Sequence, residues 1–173
     1  MKKFVRFMSA ALSSALVLTA LAGCGGSDDG GSSSGKIKIG SIGPITGGAA
    51  IYGQAVKNAA EIAVEEINAK GEDIQFELKF EDDENDAEKS VNAYNSLKDW
   101  GMQMLVGAVT SGCSIAVSEY SKDDNMFQLT PSGSAVECVQ YDNAFRVCFS
   151  DPNQGLASAQ YIGCLLYTSP SPR

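Results

Sequence analysis

Histidine is absent from all 173 residues. Its absence excludes a Ser-His-Asp or Cys-His catalytic arrangement. No C-x-x-C spacing occurs either, so a structural zinc site is not expected. No G-x-G-x-x-G follows the first predicted strand, no Walker A lysine is present and no G-x-S-x-G stands as an elbow between a predicted strand and helix (the one match, 31–35, is in a Gly/Ser-rich stretch), which argues against dinucleotide binding, nucleotide triphosphate binding and α/β-hydrolase chemistry. Basic residues are scarce: Lys and Arg number 13 against 21 Asp and Glu, for a formal net charge of −8. An acidic surface of this kind is not expected to meet nucleic acid or anionic lipid. The acidic run 81–86 fails as an EF-hand loop, because Ala87 and Ala93 stand where Gly and Glu are required. It reads as a solvated strand-to-helix turn. No cofactor, metal or catalytic residue is expected.

What the chain does have begins at its N-terminus. Lys2, Lys3 and Arg6 precede an apolar run, Ala10 to Ala22, too short to span a bilayer stably, and Leu21-Ala22-Gly23-Cys24 closes it. This string resembles the lipobox of bacterial lipoproteins. The resemblance implies a signal peptide over 1–23, acylation of Cys24 and an extracytoplasmic place on the cell membrane; an ordinary secretory signal or a weak anchor is the competing reading. Residues 24–35 are rich in Gly and Ser and read as a flexible tether. Residues 36–163 remain as a folding body. The stretch 164–173, ending Thr-Ser-Pro-Ser-Pro-Arg, departs from the preceding pattern. It resembles translated sequencing-adapter read-through, with a natural Pro-rich tail as the alternative.

From Lys36 strand and helix alternate. Lys36 to Ile42 and Ile74 to Phe80 alternate apolar and polar residues as strands do. Gln54 to Lys70 reads as a helix with Val56, Ala59, Ala60, Ala63, Val64 and Ile67 on one face and Gly71 as its C-terminal cap. Asp86 is the predicted N-cap of a helix over 87–100 with Val91, Tyr94 and Leu97 inward. Strands are predicted at 102–107, 126–129 and 144–147, and helices at 114–122 and 153–163. This order predicts an α/β fold with a doubly wound parallel sheet.

Ligands of such sheets sit beyond the carboxyl ends of the strands. Three uncharged loops rich in small and hydroxyl residues fall there: 43–53 with Tyr52; 107–114 with Val109, Thr110 and Ser111; and 130–134 with Ser132, Gly133 and Ser134. Backbone amides and hydroxyls of this kind can hold a charged group, and Ser111 stands just before a predicted helix, whose N-terminus attracts an anion. Cys113 at that N-terminus is either activated or, more simply, a packed thiol. Cys138 and Cys148 either bridge across a strand connection or remain buried thiols.

IGPITGGAAIYGQ, EEINAKG, LVGAVTSGCS and MFQLTPSGSA together resemble the branched-chain amino-acid binding proteins of ABC importers. That resemblance covers 36–163 and implies the first lobe of a type I periplasmic-binding fold. It implies that Ser111 and Ser134 hold the carboxylate of an amino acid, that Val109 and Ser132 offer carbonyls to its ammonium, that Gly133 permits close approach, and that Tyr52 faces the ligand side chain, with Thr110 in the same loop. The implied function is capture of a small amino acid and delivery to permease subunits, without catalysis. A sensing domain of the same fold, binding amides or peptides for signalling, is the alternative.

Overall fold

The computed structural model describes residues 35–168. Cys24 and the segments around it lie outside those residues, as does the end of the predicted tail. Five parallel strands form one sheet in the order β2-β1-β3-β4-β5. They are β1 (Ile37–Gly43), β2 (Phe76–Asp82), β3 (Met104–Val106), β4 (Gln128–Thr130) and β5 (Ala144–Arg146). The helices are α1 (Ala50–Ala69), α2 (Ala87–Asp99), α3 (Ser111–Ser121) and α4 (Asp151–Thr168), with a 3-10 turn at Val136–Val139.

The expected doubly wound arrangement is therefore present. From β1 the chain first moves outward to β2, then returns past β1 to β3 and on to β5. Because β-α-β crossovers are right-handed, this reversal puts α1 on one face and α2 and α3 on the other. The core lies under α2 and α3. Tyr94, Leu97, Leu105 and Val117 are fully buried there, joined by Ile42, Ala93, Met102 and Cys113. Tyr94 also donates its hydroxyl to Asp124 Oδ2 at 2.8 Å, which satisfies the polar end of a large buried ring.

Asp86 caps α2 as predicted, accepting from the Lys89 amide at 2.9 Å, and Gly71 closes α1 at φ 69°. Several boundaries differ from expectation. α1 begins at Ala50 rather than Gln54, so Tyr52 and Gly53 are helical. α3 begins at Ser111 rather than Ser114, so the presumed loop residues form its first turn. In α2 Ala93, not Val91, joins Tyr94 and Leu97 in the core, and α4 runs on through Thr168.

The acidic run is not wholly solvated. Asp83 is fully buried, where it accepts from the Ser90 hydroxyl at 3.0 Å and the Asn85 amide at 2.9 Å. Burial of a carboxylate is tolerable when hydrogen bonds replace water. Within the run Asp82 and Asp86 are used as a loop anchor and a helix cap, while Glu81 and Glu84 are surface charges, paired with Lys79 at 2.8 Å and with Lys89 at 2.7 Å.

Candidate ligand site at the carboxyl edge

All strands are parallel, so the loops after β1, β3 and β4 emerge at one edge, and β1 and β3 flank the point where the winding reverses. This is where open α/β sheets present a crevice. Asp82, at the end of β2, fixes the first loop: its carboxylate accepts from the Ile45 amide at 2.9 Å and the Thr46 hydroxyl at 2.6 Å. Partial burial pushes this carboxyl up, but the hydrogen bonds from Thr46, Glu84 and Ile45 outweigh it, and its pKa falls below the ordinary Asp value. The loop then lies directly on α1. A Cβ on Gly53 would stand 1.8 Å from the Pro44 carbonyl oxygen, so only glycine allows that approach. Tyr52, one residue earlier, is left at the rim, 61% exposed.

The loops after β3 and β4 are stitched to each other. Ser132 donates its hydroxyl to the Val109 carbonyl at 2.6 Å, and the amides of Ser134 and Ala135 donate to Ser111 Oγ at 3.1 and 3.3 Å. Thr130 bridges from behind, donating to the Ala108 carbonyl at 2.8 Å and accepting from the Gly133 amide at 3.0 Å. Arg146 clamps the far side by donating to the carbonyls of Ser134 and Ala135, each at 2.9 Å. Asp82 and Arg146 were not singled out from the sequence. A charged residue at the carboxyl end of a strand, beside loops of small residues, is the signal that could have marked both.

Tyr52, Val109, Thr110, Ser111 and Ser132 line one open depression of about 220 Å³. Two of its features invite an anion. The N-terminus of α3 opens there with no side-chain cap, so its first amides carry the positive end of the helix dipole. Thr110 Oγ1 is buried behind the depression, where it meets the Cys113 thiol. Ser111 Oγ accepts two amides yet keeps its own proton for donation. Val109 retains one carbonyl lone pair beside the one Ser132 occupies.

Gly133 and Ser134 do not line the depression. Gly133 is buried behind it, and the Ser134 amide is already spent on Ser111. Cys113 is 2% exposed, and burial pushes its thiol up, with hydrogen bonds from Ser90 and Thr110 only partly opposing. It is a packed thiol and not an activated one. Cys138 and Cys148 are both free thiols.

Larger depressions lie elsewhere, but their chemistry is less selective. One of about 650 Å³ separates α2 from α3 beside Val91, Asn95 and Tyr120. Another of about 380 Å³ is an apolar groove between α1 and the sheet, lined by Ile39, Val64, Phe76 and Leu78 among others. Among the described residues no group of three metal-ligating side chains occurs, and no helix is long and apolar enough to cross a membrane.

The sequence model of a family described as periplasmic binding protein matches residues 36–163. A protein named Leu/Ile/Val-binding protein BraC3, from Rhizobium johnstonii, is 37% identical over 132 residues, which is 73% of this chain and 35% of the relative. A substrate-binding protein of a branched-chain amino-acid transporter from Streptococcus pneumoniae, solved in complex with isoleucine, is 27% identical with a TM-score of 0.64, over 68% of this chain and 35% of that one. A leucine-binding protein from Thermotoga maritima is likewise 27% identical at a TM-score of 0.64, over 72% of this chain and 36% of its own. The chain spans about a third of the length of the curated relatives it matches.

Proposed function

Because this chain belongs to the periplasmic binding protein family, we propose that it forms one wall of an amino-acid site in a longer, two-lobed binder that delivers its cargo to the permease of an ABC importer. The observation that carries this reading is the neutral depression at the carboxyl edge, in which the uncapped N-terminus of α3 and the Ser111 hydroxyl converge. Such donors suit a carboxylate without a counter-ion. The Val109 carbonyl suits an ammonium beside it, and Tyr52 offers a ring to an apolar side chain. The names of the relatives, Leu/Ile/Val-binding, favour a branched-chain ligand. A binder of this kind does no chemistry on its cargo, in keeping with a sequence that holds no histidine.

The size of the depression supports a second lobe. At about 220 Å³ it falls below the roughly 300–1,000 Å³ of sites that enclose small ligands. Closure of two lobes over a ligand would complete it. A micromolar amino acid needs about −8 kcal/mol, and if one wall supplies half of that, affinity falls to roughly millimolar. Lipid attachment through Cys24 would hold the binder near its permease, with residues 25–35 as tether.

Titration of the isotope-labelled chain with L-leucine, followed by amide NMR, tests the site. The Ser111 and Gly112 amides should shift with a midpoint at roughly millimolar ligand, and Ser111→Ala should weaken the effect. No shift at any amide of the three loops, even at about 10 mM leucine, would sink the amino-acid reading. The anchor is tested separately: Cys24→Ser should move the chain from the membrane fraction to the soluble one, and an unchanged distribution would refute acylation.

A further inference from the structure

Cys138 and Cys148 stand behind the depression and have no place in ligand capture. Cys138 is fully buried in the 3-10 turn, with its Sγ 3.7 Å from the Ser111 carbonyl oxygen. The same sulfur fills the space a side chain at position 133 would need, lying 2.9 Å from where a Cβ on Gly133 would begin. Cys148 is half-buried, and its Sγ lies 3.5 Å from the Gly133 carbonyl oxygen. Both thiols therefore bear on one residue, Cys138 on its side-chain position and Cys148 on its carbonyl.

Local hydrogen bonds keep the two segments together. The Val147 amide donates to the Thr130 carbonyl at 3.1 Å, which carries the β4–β5 pairing one step beyond β5. Arg146 grips the carbonyls of Ser134 and Ala135. By contrast Cys113 is enclosed by Ser90, Thr110 and Asp83, and Cys164 lies exposed on α4.

We infer that Cys138 and Cys148 form a modifiable pair that closes to a disulfide across Gly133 when it meets a disulfide oxidant, either a small molecule or an oxidised protein dithiol. The exposures set the order. The Cys148 thiolate attacks one sulfur of the external disulfide, forms a mixed disulfide and releases one thiolate. The Cys138 thiolate then attacks Cys148 Sγ, forms the internal bond and releases the second thiolate. Two protons pass from the cysteines to the released thiolates, so two thiols are oxidised as one external disulfide is reduced. A disulfide requires Cα atoms within roughly 4.4–6.8 Å of each other, and the contact of both sulfurs with Gly133 brings the two segments to the same place. Closure removes the S–H donors from the Ser111 and Gly133 carbonyls and ties β5 to the 3-10 turn beneath the loop that carries Ser132. An extracytoplasmic compartment is where such bonds persist.

The pair can be tested without any ligand. The native full chain is incubated with oxidised glutathione, quenched in acid, alkylated in denaturant and cleaved with trypsin. Cleavage after Arg146 separates the peptide 123–146, which holds Cys138, from 147–173, which holds Cys148 and Cys164. The expected product is these two peptides joined and lighter by two hydrogen atoms than their sum, carrying one alkyl group on Cys164 in the unaltered chain and none in Cys164→Ser, and lost in Cys148→Ser. Dithiothreitol should restore both separate peptides. Recovery of both Cys138 and Cys148 as alkylated thiols, glutathione left on Cys148, or a crosslink that survives Cys148→Ser would each overturn the assignment.

Discussion

On one face of the sheet α2 and α3 remove Tyr94, Leu97, Leu105 and Val117 entirely from solvent. On the other, α1 leaves Ile62 56% exposed and buries only Gly53. Beyond α1 that second face presents Phe145, alternating along β5 with the buried Ala144, stacked on Phe127 at a centroid distance of 5.3 Å. The same sheet thus has a face with a close-packed core and a face whose apolar residues remain half in water. Burial of apolar surface is the main favourable term in folding, so stability should reside almost wholly under α2 and α3. The ligand loops after β3 and β4 are stitched to the packed side, whereas Tyr52 rides on α1.

Truncation under α2 should give the largest effect. Leu97→Ala opens a cavity against Leu105 and Met102 and should cost about 2–5 kcal/mol, read as a lowered urea midpoint. A loss below about 1 kcal/mol would mean that this face is not the close-packed one, and the contrast would collapse.

Gly53→Ala is the position where the loose side should behave like the tight one. Its Cβ would meet backbone, not a yielding side chain, and overpacking costs about 1–3 kcal/mol. The first loop should also move, so the Ile45 and Thr46 amide signals should shift along with the unfolding midpoint. An unaltered midpoint would show that α1 is free to slide away from Pro44.

Helix capping gives an intermediate test on the packed face. Asp86→Ala removes the acceptor of the Lys89 amide and should cost about 1 kcal/mol, whereas Asp86→Asn should largely restore it. If Asn fails to restore stability in thermal melts, the charge and not the cap is what counts.

Much of the architecture was legible in the sequence, but unevenly. The strand-helix alternation and the parallel sheet follow from periodicity, because burial of a strand face or a helix stripe is written residue by residue. The starts of α1 and α3 were not legible. Tyr52-Gly53 and Ser111-Gly112 look like loop composition, and Gly53 is there for contact with Pro44, some distance back in the chain. Asp83 reads as one more surface carboxylate until Ser90 folds against it. Likewise Gly133 reads as a flexible loop glycine, yet its missing side chain is matched to Thr130 and Cys138. Contacts between distant segments carry no periodic signal, and the candidate site is made mostly of such contacts.

Acid should act at two places, at Asp82 on the carboxyl edge and at Asp124 beside α2. Asp82 and Asp124 both have folded pKa values below the ordinary one; for Asp124 the Lys98 ammonium is the leading cause, with the Tyr94 hydroxyl next. A lowered folded value means that the stabilisation is present above the unfolded pKa of about 3.9 and is lost as pH falls through the folded value. The urea midpoint should therefore drop between about pH 4 and pH 2. Asp82→Asn should flatten part of that drop while leaving the Asp124 portion. An identical acid limb in Asp82→Asn would show that the first loop is not held by this carboxylate.

The smallest effect is expected where the contrast predicts silence. Ile62→Ala on α1 and Leu156→Ala on α4 remove large apolar side chains that are already 56% and 59% exposed. Each truncation forfeits little buried area and leaves no cavity to collapse, and alanine is the better helix former at both positions. Stability should stay within about 0.5 kcal/mol of the unaltered chain, and a slight gain at Ile62 is expected from propensity alone, because it is β-branched. The measurement must be made at several protein concentrations. A concentration-independent midpoint unchanged by either substitution upholds the one-sided core. A cost near that of Leu97→Ala would mean that α1 or α4 is held against apolar surface in solution, and that the second face is also a core.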